Sequence, residues 1–197
     1  MFENEIALLK EKDPVLAEII DRVGHCTLEL EEDSFHALAE AILYQQLSLK
    51  AASTIVGRFV EIYPNRSFPK PIDILETEDE RLRKAGISRQ KIRYLKDLSC
   101  KFMDGIVTPP KFSDMTNDEI VEQLIKVKGI GRWTAEMFLI FSLGRVNVLP
   151  VDDLGFRKAI QKWYGFENLP SEVQIRIIAK KWEPYCTVAT WYLWKSL

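Results

Sequence analysis

The chain has 197 residues, 47% of them hydrophobic and 28% charged. That balance suits one globular domain or two closely joined subdomains and argues against a disordered chain. A net charge of −2 argues mildly against nucleic-acid binding, although a phosphate-binding face needs only a local basic stripe.

Three widely spaced cysteines, Cys26, Cys100 and Cys186, form no C-x-x-C pair. This argues against a disulfide framework, a structural zinc or an iron–sulfur cluster, and for a reducing compartment. The opening segment MFENEIALLKEKDP is charged and lacks the apolar stretch of a signal peptide. No apolar run approaches the length of about 18 residues that a membrane span needs.

The periodicity is helical nearly everywhere. Asp13-Pro14 starts a helix that stops at Gly24, with Val15, Ile19, Ile20 and Val23 at helical spacing. HCTLEL (25–30) reads as a short extended link. Acidic residues 29 and 31–33 lead into a helix over 34–45, where they suit the helix dipole. Ser48 is the expected N-cap of a helix reaching Tyr63. Residues 64–71 form a loop, 72–84 one or two short helices, and 88–103 a basic amphipathic helix. A second loop spans 104–113 with Pro109-Pro110. Thr116 and Glu119 form a capping box for a helix over 116–127. Further helices are expected over 132–143, 153–164, 171–182 and 185–197. Strand signals are nearly absent, so the expected fold is all-α. The proline-containing loops divide it into a middle subdomain, 64–148, and a flanking one, 1–63 plus 149–197.

The stretch LIKVKGIGRWTAEMF (124–138) carries the most chemistry. Two helices flank a turn with glycines two apart. Gly129 and Gly131 let the backbone approach a ligand, and the following helix opens with unpaired N–H groups. Together with Lys126, Lys128 and Arg132 this makes an anion site suited to a phosphate. The competing reading is a turn whose glycines serve packing alone. Downstream, Asp152-Asp153 lies where a segment containing Pro150 enters a helix, and a carboxylate there gains from the positive helix end. One of the two is expected to serve only as a cap.

Three motifs in order now resemble a family. LIKVKGIGRWTAEMF is similar to the helix–hairpin–helix of the DNA glycosylase superfamily. NVLPVDDLGFRKAI resembles its Gly/Pro-rich segment with the catalytic Asp. FHALAEAILYQQLSLKAASTIVGRF resembles the helix pair of its alkylation branch, the 3-methyladenine DNA glycosylase II group. The likeness covers about residues 13–197. The β-rich N-terminal domain found in some members is not expected within these 197 residues.

The resemblance implies an all-α helix–hairpin–helix glycosylase fold of two helical subdomains, with the active site in the cleft between them. It implies excision of alkylated purines of the 3-methyladenine and 7-methylguanine type from duplex DNA. The carboxylate directly before Leu-Gly is the family's catalytic one, which selects Asp153 and leaves Asp152 as the cap. One ionised carboxylate stabilises the oxocarbenium-like sugar and orients water. Strand-cutting relatives need a lysine after the hairpin. Trp133 stands there, so a monofunctional enzyme is expected.

Chemistry on a base requires flipping it out. Trp133 and Trp194 are the expected walls of the base pocket, with Met137 and Tyr44 beside them and Trp191 a weaker candidate. An electron-rich indole favours a cationic methylated base. Trp163, Trp182 and Trp191 are expected to pack in the core. Gln46, with Leu47 second, is the expected wedge in the base stack; the alternative is that Gln45 and Gln46 bond nearby backbone. Thr134 belongs to the phosphate-binding hairpin. The backbone carbonyls of Ile125, Val127 and Gly129 are a possible site for a monovalent cation, and no cofactor is required. Lys84, Arg89, Lys91, Arg93, Lys96 and Lys101 form a basic stripe against one acid, Asp97; it reads either as a DNA-backbone contact or as a solvated face. His25 and His36 have no assigned role.

The expected partner is double-stranded DNA with alkylated bases, bound by a monomer without membrane association. The expected location is cytoplasmic in a prokaryote and nuclear in a eukaryote. Two alternatives stay open: a glycosylase for another damaged base, such as deaminated adenine, and a DNA-binding module without catalysis. A scaffold for protein partners would leave the hairpin and the Asp unexplained.

Overall fold

The computed structural model describes residues 2–64 and 67–197. Asn65 and Arg66 of the expected 64–71 loop lie outside the described residues. Those described form α-helices and 3-10 turns and contain no strand. No described helix is long and apolar enough to cross a membrane. The chain divides into two compact units, residues 31–138 and residues 1–30 with 139–197.

In the 31–138 unit the helices are α3 (Ser34–Tyr44), α4 (Leu49–Glu61), α5 (Pro71–Glu76), α6 (Asp79–Lys84), α7 (Arg89–Met103) and α8 (Asn117–Leu124). The first turns of α9 (Arg132–Phe141) belong here too. The longest helix, α7, is the spine on which α3, α5 and α6 pack. Ile92, Leu95 and Leu98 form its buried stripe at helical spacing. Side chains cap these helices, Ser48, Thr116 and Glu119 where expected and Ser88 in addition. Ser48 accepts from the Ala51 amide at 3.3 Å, Ser88 from that of Lys91 at 3.2 Å, and Thr116 and Glu119 close a capping box. Pro109 and Pro110 open a 3-10 turn, Pro109–Asp114, within the expected loop. Proline's fixed φ suits such a turn.

The other unit holds α1 (Glu3–Lys12), α2 (Pro14–Val23), α10 (Leu154–Tyr164), α11 (Glu172–Ala179) and α12 (Cys186–Lys195). Cys186 through Leu193 is buried without a break, because α12 is apolar all round and packs on α2 and α10. Asp13 joins both parts of this unit. Its carboxylate caps α2 through the Val15 and Leu16 amides. It also accepts from Tyr164 Oη at 2.5 Å, Trp182 Nε1 at 2.7 Å and Lys181 Nζ at 3.0 Å.

These units correct the expected boundaries of 64–148 and 1–63 plus 149–197. Helix α3 joins the middle unit because it packs on α7, with Phe35 edge-on to Phe102 at 5.0 Å. Residues 145–148 join the other unit because the Thr187 hydroxyl donates to the Arg145 carbonyl at 2.6 Å and accepts from the Val148 amide at 3.0 Å. The pattern also missed α1, whose single buried residue, Leu9, gives no amphipathic stripe. Trp182 and Trp191 are buried as expected. Trp163 is only half-buried, with the Arg22 guanidinium 5.0 Å above its ring.

Candidate functional site

The hairpin joins α8 to α9. Buried Val127 and Ile130 anchor its turn, while Lys126 and Lys128 stay exposed. Gly129 has φ of +85°, the left-handed region that glycine tolerates. A Cβ there would also fall 2.6 Å from ring carbons of Tyr94 on α7. Gly131 differs: its φ is ordinary and a Cβ would meet nothing within 4 Å. Its backbone therefore borders open space at the start of α9.

Two side chains brace this turn, Gln45 by the backbone bonding expected as its alternative and Asp97 without an expected role. Asp97 Oδ2 accepts the Lys128 amide at 2.8 Å, and Gln45 Nε2 donates to the Gly129 carbonyl at 2.8 Å. Asp97 had a visible signal as the one acid in the basic stripe. Arg132 lies 3.7 Å from Asp118 and 3.6 Å from Glu136, so its charge is partly offset. The Thr134 side chain is buried and lines a cavity.

That cavity, of about 490 Å³, lies within the 31–138 unit and is lined by Tyr44, Gln46, Trp133, Thr134 and Met137 among others. Three expected pocket residues thus meet in one place. Trp133 is 48% exposed. At the corner between α3 and α4, Gln46 is exposed with φ of +56°, rare for a side-chain-bearing residue. Leu47 beside it is also exposed.

Asp153 lies in the other unit, where it takes the capping role expected of Asp152. Asp153 itself is the N-cap of α10, its Oδ1 accepting from the Phe156 amide at 2.6 Å. Helix α10 starts at Leu154, so Asp152 stands one residue too early to cap it and is exposed. The same Oδ1 accepts from Trp194 Nε1 at 2.8 Å. The indole of Trp194 stacks on Phe141, with centroids 5.8 Å apart and planes 18° from parallel. Both line a second cavity, of about 460 Å³, with Trp191, Glu29 and Lys195. Phe141 had no sequence signal beyond its aromatic ring.

The basic stripe shrinks. Lys91 Nζ donates to the Leu43 carbonyl at 2.6 Å, and burial pushes its ammonium pKa down. Lys96 pairs with Asp79. Lys84, Arg89 and Arg93 stay exposed, and Lys101 is half-buried.

Residues 39–184 match the family model of the HhH-GPD superfamily base excision DNA repair protein. The chain is similar to DNA-3-methyladenine glycosylase 1 of Schizosaccharomyces pombe, 36% identical over 84% of this chain and 73% of that protein. Its fold is similar to the crystal structure of DNA-3-methyladenine glycosidase from Bacillus halodurans, with TM-score 0.88 and 37% identity over 97% of this chain and 88% of that one. It is also similar to the S. pombe 3-methyladenine DNA glycosylase in complex with abasic DNA, with TM-score 0.85 and 33% identity over 98% of this chain and 95% of that one.

Proposed function

The chain belongs to the HhH-GPD superfamily of base excision DNA repair proteins, and from that premise we propose that it is a monofunctional DNA N-glycosylase for alkylated purines. It flips 3-methyladenine- or 7-methylguanine-type bases from duplex DNA and hydrolyses the N-glycosidic bond, leaving an abasic site. The observation that carries this reading is Asp153, a carboxylate held at the opening of α10 by two N–H donors.

The mechanism follows from residue types. The hairpin, with the Gly131 backbone and Lys126, grips a DNA phosphate, with Lys128 and Arg132 adding weaker charge that nearby carboxylates partly offset. Exposed Gln46 and Leu47 fill the vacated stack. Tyr44, Trp133 and Met137, which line one cavity, receive the base. As the C1′–N bond breaks, its electron pair leaves with the base. A cationic alkylated base departs neutral, so no strong general acid is needed. Asp153 stabilises the positive sugar and directs the water that adds to C1′. Trp133 in place of a lysine leaves no amine there for a Schiff base, which supports hydrolysis without strand cleavage.

The carbonyls of Ile125, Val127 and Gly129 suit a monovalent cation beside that phosphate. Val127 and Gly129 each already accept a hydrogen bond, from the Ile130 amide and Gln45. A carbonyl has a second lone pair to offer. Such an ion would fix the phosphate and take no part in bond cleavage. The protein acts as a monomer.

The test is chromatographic release of methylpurines from methylated duplex DNA. Wild type releases them, Asp153→Asn does not, and Asp152→Asn retains release. Wild type that binds duplex but frees no base points to another lesion or to a binding module.

A further inference from the structure

We propose that Trp194 is a positioning residue for Asp153, acting through its indole N–H, and that Gly155 is the residue that makes room for it. The proposal rests on the reading of Asp153 as the catalytic carboxylate.

An N-cap needs only a bond to its own first turn, and the Phe156 amide supplies that at 2.6 Å. The second donor to the same oxygen is of another kind. Trp194 lies 41 residues away, near the end of α12, and reaches Oδ1 at 2.8 Å. Two donors from different helices on one oxygen fix both the side-chain torsion and the carboxyl plane. Turning the carboxyl group would break both bonds at once. The aim of Oδ2, and so the face offered to a reacting sugar, is set by an indole that is itself held flat against Phe141.

Gly155 explains how the indole gets so close. It is the second residue of α10, its φ is ordinary, and glycine is a poor helix former, so conformation does not call for it. Space does. A Cβ there would come within 3.2 Å of Asp153 Oδ1, 3.6 Å of Trp194 Cδ1 and 3.8 Å of Trp194 Nε1. A methyl group would press on the carboxylate and the edge of the indole together.

The test uses Trp194→Phe, which keeps an aromatic ring to stack on Phe141 and removes the N–H together with part of the indole, alongside Gly155→Ala. Single-turnover base release is read together with affinity for a duplex containing an abasic site. Trp194→Phe slows release by on the order of 10- to 100-fold, because a small misalignment of a reacting group is costly. Its affinity for the abasic duplex stays within roughly twofold of wild type, since the lost interaction acts on the transition state. Gly155→Ala shows the same split to a smaller degree. In the proton–nitrogen spectrum, the indole signal that Trp194→Phe deletes shifts in Asp153→Asn. Release by Trp194→Phe at the rate of an active wild type overturns the proposal. So does slowed release with an indole signal that stays unshifted in Asp153→Asn, which makes Trp194 a pocket wall only. An inactive wild type instead removes the catalytic reading of Asp153 on which the proposal stands.

Discussion

The ring of Tyr94 fills the space that any side chain on Gly129 would need. The two hairpin glycines should therefore fail differently. Gly129→Ala meets both a left-handed backbone and an aromatic ring. It is expected to cost about 2 kcal/mol, or roughly 4–8 °C in Tm, and to weaken duplex binding. Gly131→Ala meets no protein atom, so its Tm stays at the wild-type value, yet a methyl group stands where the phosphate approaches and duplex binding falls. Thermal melts and fluorescence anisotropy on the two variants separate a fold glycine from a ligand glycine.

The cations of the 31–138 unit should rank by their partners. Lys126→Ala is expected to lower the slope of log affinity against log salt by about one, as loss of a phosphate contact does. Arg132→Ala lowers it less, because Asp118 and Glu136 already offset that guanidinium. Lys96→Ala leaves the slope unchanged, because Asp79 holds its ammonium. Anisotropy titrations over a potassium chloride series measure all three.

The division between what the sequence disclosed and what it hid follows the range of the interactions. Ser48, Thr116 and Glu119 cap where expected because a cap is settled within four residues. The hairpin was legible for the same reason. The choice between Asp152 and Asp153 as cap was not, since it turns on a one-residue register of the α10 start. Asp97 under the Lys128 amide, Tyr94 against Gly129 and Trp194 on Asp153 each join residues more than thirty apart, beyond any local pattern. The basic stripe misled because charge counts cannot reveal that the Lys91 ammonium is turned to the Leu43 carbonyl. The subdomain boundary was placed at proline-rich loops, but the chain divides where packing changes partners.

Asp13 should give the protein an acid-sensitive step. Burial alone would raise its pKa, but Tyr164, Trp182, Lys181 and the Leu16 amide together hold it below the usual aspartate value. A folded-state pKa below the unfolded one means stability that is complete above the unfolded value of about 3.9 and lost as pH falls through the folded value. Urea denaturation between neutral and strongly acidic pH should show this decline in wild type and a shallower one in Asp13→Asn. At neutral pH the substitution is expected to cost about 2 kcal/mol, because Tyr164 and Trp182 lose a charged acceptor while the partly exposed Lys181 regains water.

Gly57 offers the opposite sign. It lies inside α4, exposed, with ordinary φ and nothing within 4 Å of an added Cβ. Gly57→Ala is expected to stabilise the fold by about 0.5–1 kcal/mol, a rise of roughly 1–4 °C in Tm by calorimetry.

The unit that carries Asp153 is assembled from two stretches with 108 residues between them. On the ribosome these are made at different times. A nascent chain that has emerged as far as Phe138 owns every residue of the 31–138 unit. At that moment Leu16, Ile19 and Ile20 have no α12 to cover them, and Asp13 has neither Tyr164, Lys181 nor Trp182. Helix α2 is thus translated before the 31–138 unit and buried only after it. During that interval its apolar face is the part of the chain that a chaperone or a misfolding neighbour would meet.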